Sequence, residues 1–266
     1  MKQTILITGA SSGFGLLVAN ELYRKGYHVI GTSRNPEKYA AKFPFKMIAL
    51  DLDSEQSINT FSERIFREIN QLDILINNAG FLVSGIAEET PIELGRQQLE
   101  TNFWGTIKVT NAVLPYFRKQ KFGKIITVGS IVGLVSFPNA AYYAASKHAL
   151  EGYFKSLRYE LNEFNISVSM IEPSAFKTSI LDNSSSPLTK ITDYNTLRGK
   201  IEKFTGDLVK QAEDPSIVVG KVLKVIEMDR PKFRNIVGKG TSALINLQHF
   251  AYGILEKNVF KQLNKF

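Results

Sequence analysis

The chain has 266 residues, 44% of them hydrophobic, with 33 basic against 25 acidic side chains and a formal charge of +8. The apolar fraction excludes a disordered chain, and the ordinary counts of 19 Gly and 9 Pro exclude a collagen-like or low-complexity one. No Cys and three scattered His leave no disulfide scaffold, no thiolate nucleophile and no imidazole-built zinc site.

In chain order, short runs rich in Ile, Val and Leu predict strands at 4–8, 28–33, 45–50, 74–77, 124–128, 167–171 and 235–238. Helical spacing predicts helices at 14–25, 54–70, 91–119, 141–164 and 215–228. Alternation of this kind builds a parallel sheet, and strands apolar throughout are those covered by helices on both faces. The expected fold is therefore an α/β, Rossmann-type doubly wound sheet of about seven strands in one domain over 1–266. Between 179 and 214 the pattern loosens into a loop at 183–187 and then a mixed helical stretch, as expected of a substrate-loop region, and 239–266 reads as a C-terminal helical extension. Within it, Leu244, Leu247, Phe250, Ala251, Ile254, Leu255 and Val259 keep helical spacing. That stripe could cover a crevice, line a subunit contact or touch a membrane surface, and its few cations place the membrane last.

No run of 18 apolar residues occurs, and the chain enters its first strand at once, so a cytoplasmic protein is expected. The basic residues are spread without a block of five or six, which is the pattern of a solvated surface rather than of nucleic-acid binding.

Chemistry begins with Thr8-Gly9-Ala10-Ser11-Ser12-Gly13-Phe14-Gly15, between the first strand and the first helix. Glycines let a backbone turn sharply and approach a pyrophosphate, while the helix N-terminus directs free N–H groups at the anion. Tyr143 and Lys147 are spaced i, i+4, one turn apart on a helix face. An ammonium beside a phenol favours the phenolate, so a lowered Tyr143 pKa is expected. Tyr142 lacks that offset and is assigned to packing or to a substrate wall. His148 points about 100° around the helix and is set aside. After the second strand come Ser33 and Arg34, with no acid before Glu37. An acid there would hold a ribose 2′-hydroxyl, whereas arginine pairs with a 2′-phosphate, so NADP(H) is expected over NAD(H).

The glycine spacing, with Asp51-Leu52, Asn77-Asn78-Ala79-Gly80, Asn102, Ser130, Tyr143-Ala144-Ala145-Ser146-Lys147 and Pro173 to Thr178, resembles the classical short-chain dehydrogenase/reductase family. Runs such as 146–152, 173–178 and 231–238 resemble its retinol and 17β-hydroxysteroid dehydrogenase side. The resemblance implies a catalytic set of Asn102, Ser130, Tyr143 and Lys147. Tyr143 would transfer the proton, Ser130 would hold the substrate oxygen, Lys147 would tune Tyr143 and hold the nicotinamide ribose, and Asn102 would support a water path. It implies that Gly9, Ser11, Ser12, Gly13, Phe14, Gly15, Ser33, Arg34, Asp51, Leu52, Asn78, Ala79, Gly80, Tyr143, Lys147, Pro173 and Thr178 bind the dinucleotide. It also implies a homodimer or homotetramer paired through the fourth and fifth helices. Ser174 departs from the family's usual glycine. Phe81, Val132, Phe137, Phe176 and Ile180, on loops that follow strands, are the expected substrate walls and point to a small apolar carbonyl or alcohol. The expected activity is an NADP(H)-dependent carbonyl reductase or alcohol dehydrogenase. A 3-oxoacyl-thioester reductase and a non-catalytic dinucleotide-binding regulator are the alternatives.

Overall fold

The structure, a computed structural model, describes residues 2–39, 41–178, 180 and 184–265. Strands β1 (Thr4–Ile7), β2 (His28–Ser33), β3 (Lys46–Ala49), β4 (Ile74–Asn77), β5 (Gly123–Val128), β6 (Ile166–Pro173) and β7 (Arg234–Val237) form one parallel sheet in the order β3-β2-β1-β4-β5-β6-β7. The order reverses between β1 and β4, and in such sheets the crevice at the carboxyl ends of the strands on either side of that point takes the ligand.

The helices are α1 (Gly13–Arg24), α2 (Glu55–Glu68), α3 (Ile92–Leu99), α4 (Thr106–Gln120), α5 (Ala141–Glu160), α6 (Asn195–Lys210), α7 (Ser216–Glu227), α8 (Thr241–Phe250) and α9 (Tyr252–Leu263). Side chains alternate across a strand, and β1 uses both faces. Leu6 joins Phe61, Phe117 and Phe154 under α2, α4 and α5, while Ile5 and Ile7 join Val18, Leu22 and Val222 under α1 and α7. Burial on both faces is why the strands read as continuous apolar runs rather than alternating ones. Among the described residues no helix is long and apolar enough to cross a membrane.

Three sequence expectations change. The helix expected over 91–119 is α3 and α4 joined by a π-helical segment, Glu100–Gly105. There the wide turn carries Asn102 toward Phe81, and Gly105 packs on Leu52 so closely that a β-carbon would stand 2.7 Å from the Leu52 carbonyl oxygen. The helix expected over 141–164 ends at Glu160, with a separate 3₁₀ turn at Asn162–Phe164.

The C-terminal stripe is broken at Ala251, whose φ of −149° and ψ of 48° are not helical. Leu244, Leu247, Leu255 and Val259 pack with Ile131, Leu134 and Val135 from the segment after β5. Phe250, 87% exposed, and Ile254 are turned outward by the break, so those two do not belong to the buried face. Of the expected loop over 179–214, residues 179 and 181–183 lie outside the described residues. Its later part is ordered as a short turn at Thr192–Tyr194 and α6. A buried ion pair from Arg198 to Glu89 and a 2.7 Å bond from the Ile191 N–H to Glu89 Oε1 hold it to the body.

Candidate active site

The glycine loop leaves β1 and turns into α1, with Gly9 at φ +65° and Gly13 at φ +55°, conformations that favour glycine. Gly15 has no space for a side chain, because a β-carbon would strike the Asn78 amide and the Gly9 carbonyl. The Asn78 side chain bridges the loop, donating 3.0 Å bonds to the carbonyls of Thr8 and Gly9. Thr8 reciprocates: its hydroxyl accepts from the N–H groups of Asn78 at 3.0 Å and Ala79 at 3.1 Å. A β-carbon on Gly80 would lie 3.0 Å from Asn102 Oδ1. Two segments 70 residues apart therefore form one rigid cradle.

Ser12, the N-cap of α1, is extended and makes no side-chain cap, so the first N–H groups of the helix have no capping side chain. At the end of β2, Ser33 is buried and its Oγ finds no hydrogen-bond partner among the described residues. Arg34 beside it is exposed and forms no ion pair among them. A cradle that a Cβ would fill, uncapped helix N–H groups, an orphaned hydroxyl and a guanidinium together fit an anionic dinucleotide. Asp51 and Leu52 follow the next strand, β3. The Asp51 N–H donates to Ser57 Oγ at 2.9 Å, and Leu52 is buried against Gly105.

Asn102 ties the π-helical segment to this loop. Its Oδ1 accepts from the Phe81 N–H at 3.0 Å, and its Nδ2 donates to the Phe81 carbonyl at 2.9 Å and Ser146 Oγ at 3.4 Å. Its own carbonyl accepts from Thr106 Oγ1 at 2.9 Å. Gln98, fully buried, repeats the device by donating to the Phe81 carbonyl at 2.7 Å and accepting from the Val83 N–H at 2.6 Å. Nothing in the sequence singled out Gln98, since a lone helical glutamine carries no pattern. Thr8 and Ser146 stand inside quoted motifs, but nothing in the sequence assigned either a role of its own.

Ser130 follows β5, and α5 lays Tyr143 and Lys147 over it. The Ser130 hydroxyl stands close enough to the Tyr143 phenol to favour its ionised form. Lys147 is buried, donates through Nζ to the Val128 carbonyl at 3.0 Å and stands 5.7 Å from the centre of the Tyr143 ring. The ring of Tyr142 instead packs on α3, 2.5 Å from where a β-carbon on Gly95 would be, so it serves packing. His148 is exposed and bonds the Ala144 carbonyl at 2.9 Å.

One electrostatic expectation is reversed. Burial pushes the Tyr143 phenol up to about 12, and the neighbouring Ser130 hydroxyl only partly offsets this. The same burial pulls the Lys147 ammonium down to about 8, with Glu151 opposing the fall. Desolvation costs both charged forms more than the ammonium, tied to Val128, returns to the phenol.

The expected substrate walls separate. Phe81 and Val132 are half-buried near the site, and Phe137 meets Phe204 of α6 with ring centres 6.4 Å apart. Phe176 is packed edge-on against Phe14, 5.9 Å between centres, inside the α1–α7 core, and so is placed as a core residue rather than a wall. Ile180 is exposed. Pro173 ends β6 against Val237, and Thr178 is half-buried in the loop that follows.

A glycine cradle at the switch point of a parallel sheet, with a Ser-Tyr-Lys cluster at the end of β5, defines a dinucleotide-binding oxidoreductase fold. A family profile described as short chain dehydrogenase matches residues 3–188. The chain is 40% identical over 254 residues to the oxidoreductase YusZ of Bacillus subtilis, covering 90% of each. It is 37% identical to 3-ketodihydrosphingosine reductase of Bacteroides thetaiotaomicron, covering 89% of this chain and 88% of that one. The crystal structure of a short-chain dehydrogenase from Streptomyces avermitilis superposes with a TM-score of 0.84 at 26% identity, covering 100% of this chain and 98% of that one. The chain belongs to the classical short-chain dehydrogenase/reductase family.

Proposed function

We propose that this chain is an NADP(H)-dependent oxidoreductase that interconverts an apolar ketone or aldehyde with its alcohol. The observation that carries the reading is the contact of Ser130 with the Tyr143 phenol beside the buried Lys147, at the ligand-binding edge of the sheet. A bound nicotinamide supplies or accepts the hydride. Tyr143 gives its proton to the substrate oxygen during reduction and takes it back during oxidation. A phenol held protonated by burial is set for the first of these. Ser130 orients the oxygen, and Lys147 supplies positive charge next to the phenolate that reduction leaves behind. Asn102 fixes the 79–81 loop and, on this reading, supports the water path that returns the proton.

Ser33 and Arg34 support the phosphorylated cofactor: a 2′-phosphate would pair with the guanidinium and accept from the orphaned hydroxyl. Phe81, Val132 and Phe137, with α6 and α8 beyond them, support an apolar substrate. The relative named for 3-ketodihydrosphingosine acts, by that name, on a ketone of an aliphatic chain. Self-association through α4 and α5 belongs to the same reading, since Trp104, Tyr116 and Tyr159 are exposed there; sedimentation of a Tyr159→Glu variant as a monomer would support it.

The test is oxidation of NADPH, and of NADH, over a homologous series of aliphatic ketones. Each methylene buried is worth about 0.8 kcal/mol, so kcat/KM should rise roughly fourfold per step until the pocket is full. A flat series rejects the apolar pocket, and equal use of NADH rejects the cofactor preference. NADPH binding without turnover on any carbonyl rejects the enzyme.

A further inference from the structure

Behind Lys147 two carboxyl groups are buried against each other. Glu172 on β6 has no exposed surface, and Glu151 on α5, one turn beyond Lys147, is 7% exposed. The two lie within hydrogen-bonding reach. Arg234 from β7 clamps both, donating from Nη2 to Glu151 Oε2 at 2.9 Å and from Nε to Glu172 Oε1 at 3.0 Å. The Asn235 N–H donates to Glu172 Oε2 at 2.8 Å. Glu151 Oε1 alone of these four oxygens has no donor among the described residues.

The position of that oxygen matters. It lies 3.6 Å from where a β-carbon on Gly129 would stand, and Lys147 Nζ is bonded to Val128, the residue before. The ammonium and the orphaned oxygen thus meet successive residues at the end of β5, with no side chain on Gly129 between them. Two buried carboxylates facing one guanidinium do not both ionise near neutrality; they share a proton. Burial and the neighbouring carboxylate push Glu172 up to about 8; burial raises Glu151 as well, but there Arg234, the Glu172 carboxyl and His148 all oppose the rise. A proton held on Glu172 and offered to Glu151 leaves Glu151 the more readily ionised of the two.

We propose that Glu151, clamped by Arg234 and by a proton shared with Glu172, is a positioning residue that keeps the buried Lys147 ammonium charged beside Tyr143. The inference rests on the reading of Tyr143 and Lys147 as the catalytic pair. The groups that face Glu151 are Lys147 and His148 on its own helix, Glu172 on β6 and Arg234 on β7. The Glu151 charge opposes the desolvation of Lys147.

The experiment measures the Lys147 titration midpoint in ¹³Cε-lysine-labelled protein, its resonance identified by its absence in Lys147→Arg, alongside kcat/KM against pH. In Glu151→Gln the midpoint should fall by about one pH unit, and the alkaline limb of kcat/KM should move the same way, since the ammonium is lost sooner. Glu151→Asp keeps the charge and should restore most of both. Glu172→Gln mimics the protonated carboxyl and should leave both near wild type. An unchanged midpoint in Glu151→Gln overturns the proposal, as does an equal shift in Glu172→Gln. Circular dichroism confirms that each variant is folded. The NMR readout does not depend on turnover, so a wrong catalytic pair is recognised separately, by activity surviving Tyr143→Phe.

Discussion

The side chain of Ser174 occupies the space that a β-carbon on Gly238 would need; its own Cβ is 2.8 Å from that point. The serine that replaces the family's usual glycine after Pro173 is thus matched by a glycine at the end of β7, and the Ser174 N–H bonds the Val237 carbonyl at 2.9 Å. Gly238 also holds φ +128°, which an L-residue adopts only under strain. Gly238→Ala should therefore destabilise the protein by about 1–3 kcal/mol in urea unfolding. Adding Ser174→Gly should recover the steric part and leave the φ cost, a positive coupling in a double-mutant cycle. Strict additivity would show that the two residues do not share this space.

Tyr143→Phe removes one hydroxyl beside Ser130 and should preserve folding and NADPH affinity. Turnover should drop by roughly 10²–10⁴-fold, the range of general acid catalysis. Tyr142→Phe, altering a ring packed on Gly95, should change kcat less than about threefold. Comparing the two at saturating substrate checks the choice of tyrosine.

Arg34→Ala should weaken NADPH by one to two decades and NADH by far less, because a charge-assisted bond is worth about 1.5–3 kcal/mol and only NADPH carries the 2′-phosphate. Ser33→Ala should move affinity in the same direction by a smaller amount. Calorimetric titration with both cofactors reads the difference. Equal losses would assign Arg34 to holding the loop.

Lys147 also leaves a signature in stability. Its ammonium is ordinarily lost near 10.5 and in the fold near 8, so between these values the unfolded chain binds the extra proton and stability rises with pH. The burial cost is felt fully below pH 8. Lys147→Met should accordingly be more stable than wild type at pH 7, and the gap should narrow from pH 8 to pH 10 in denaturant titrations. A gap that stays constant or widens would mean that Lys147 is not charged and desolvated as described.

Much of the site could be read directly from the chain. Tyr143 and Lys147 are brought together by helical periodicity alone, and the glycine loop is held between a strand and a helix that the apolar pattern announces. Gly9 and Gly13 show why those positions need glycine, for both have positive φ. Asn102 was legible only through the family resemblance, and the π-helical segment that carries it was not, since the apolar spacing runs on through 91–119.

What the chain could not announce depends on contacts between segments far apart in sequence. Phe176 and Val132 have the same apolar character, yet one is in the core against Phe14 and the other near the site, because loop paths rather than hydropathy separate them. The break at Ala251, which turns Phe250 outward, does not interrupt the helical spacing of the apolar residues. The direction in which Tyr143 and Lys147 are shifted follows from burial, a property of the packed molecule that no i, i+4 spacing contains. Local sequence determined the elements and the pairing of residues within a helix, since period and turn chemistry act over a few residues. The order of the strands decided the rest: by placing β7 beside β6, it brought Arg234 to Glu172 and to Glu151 of α5.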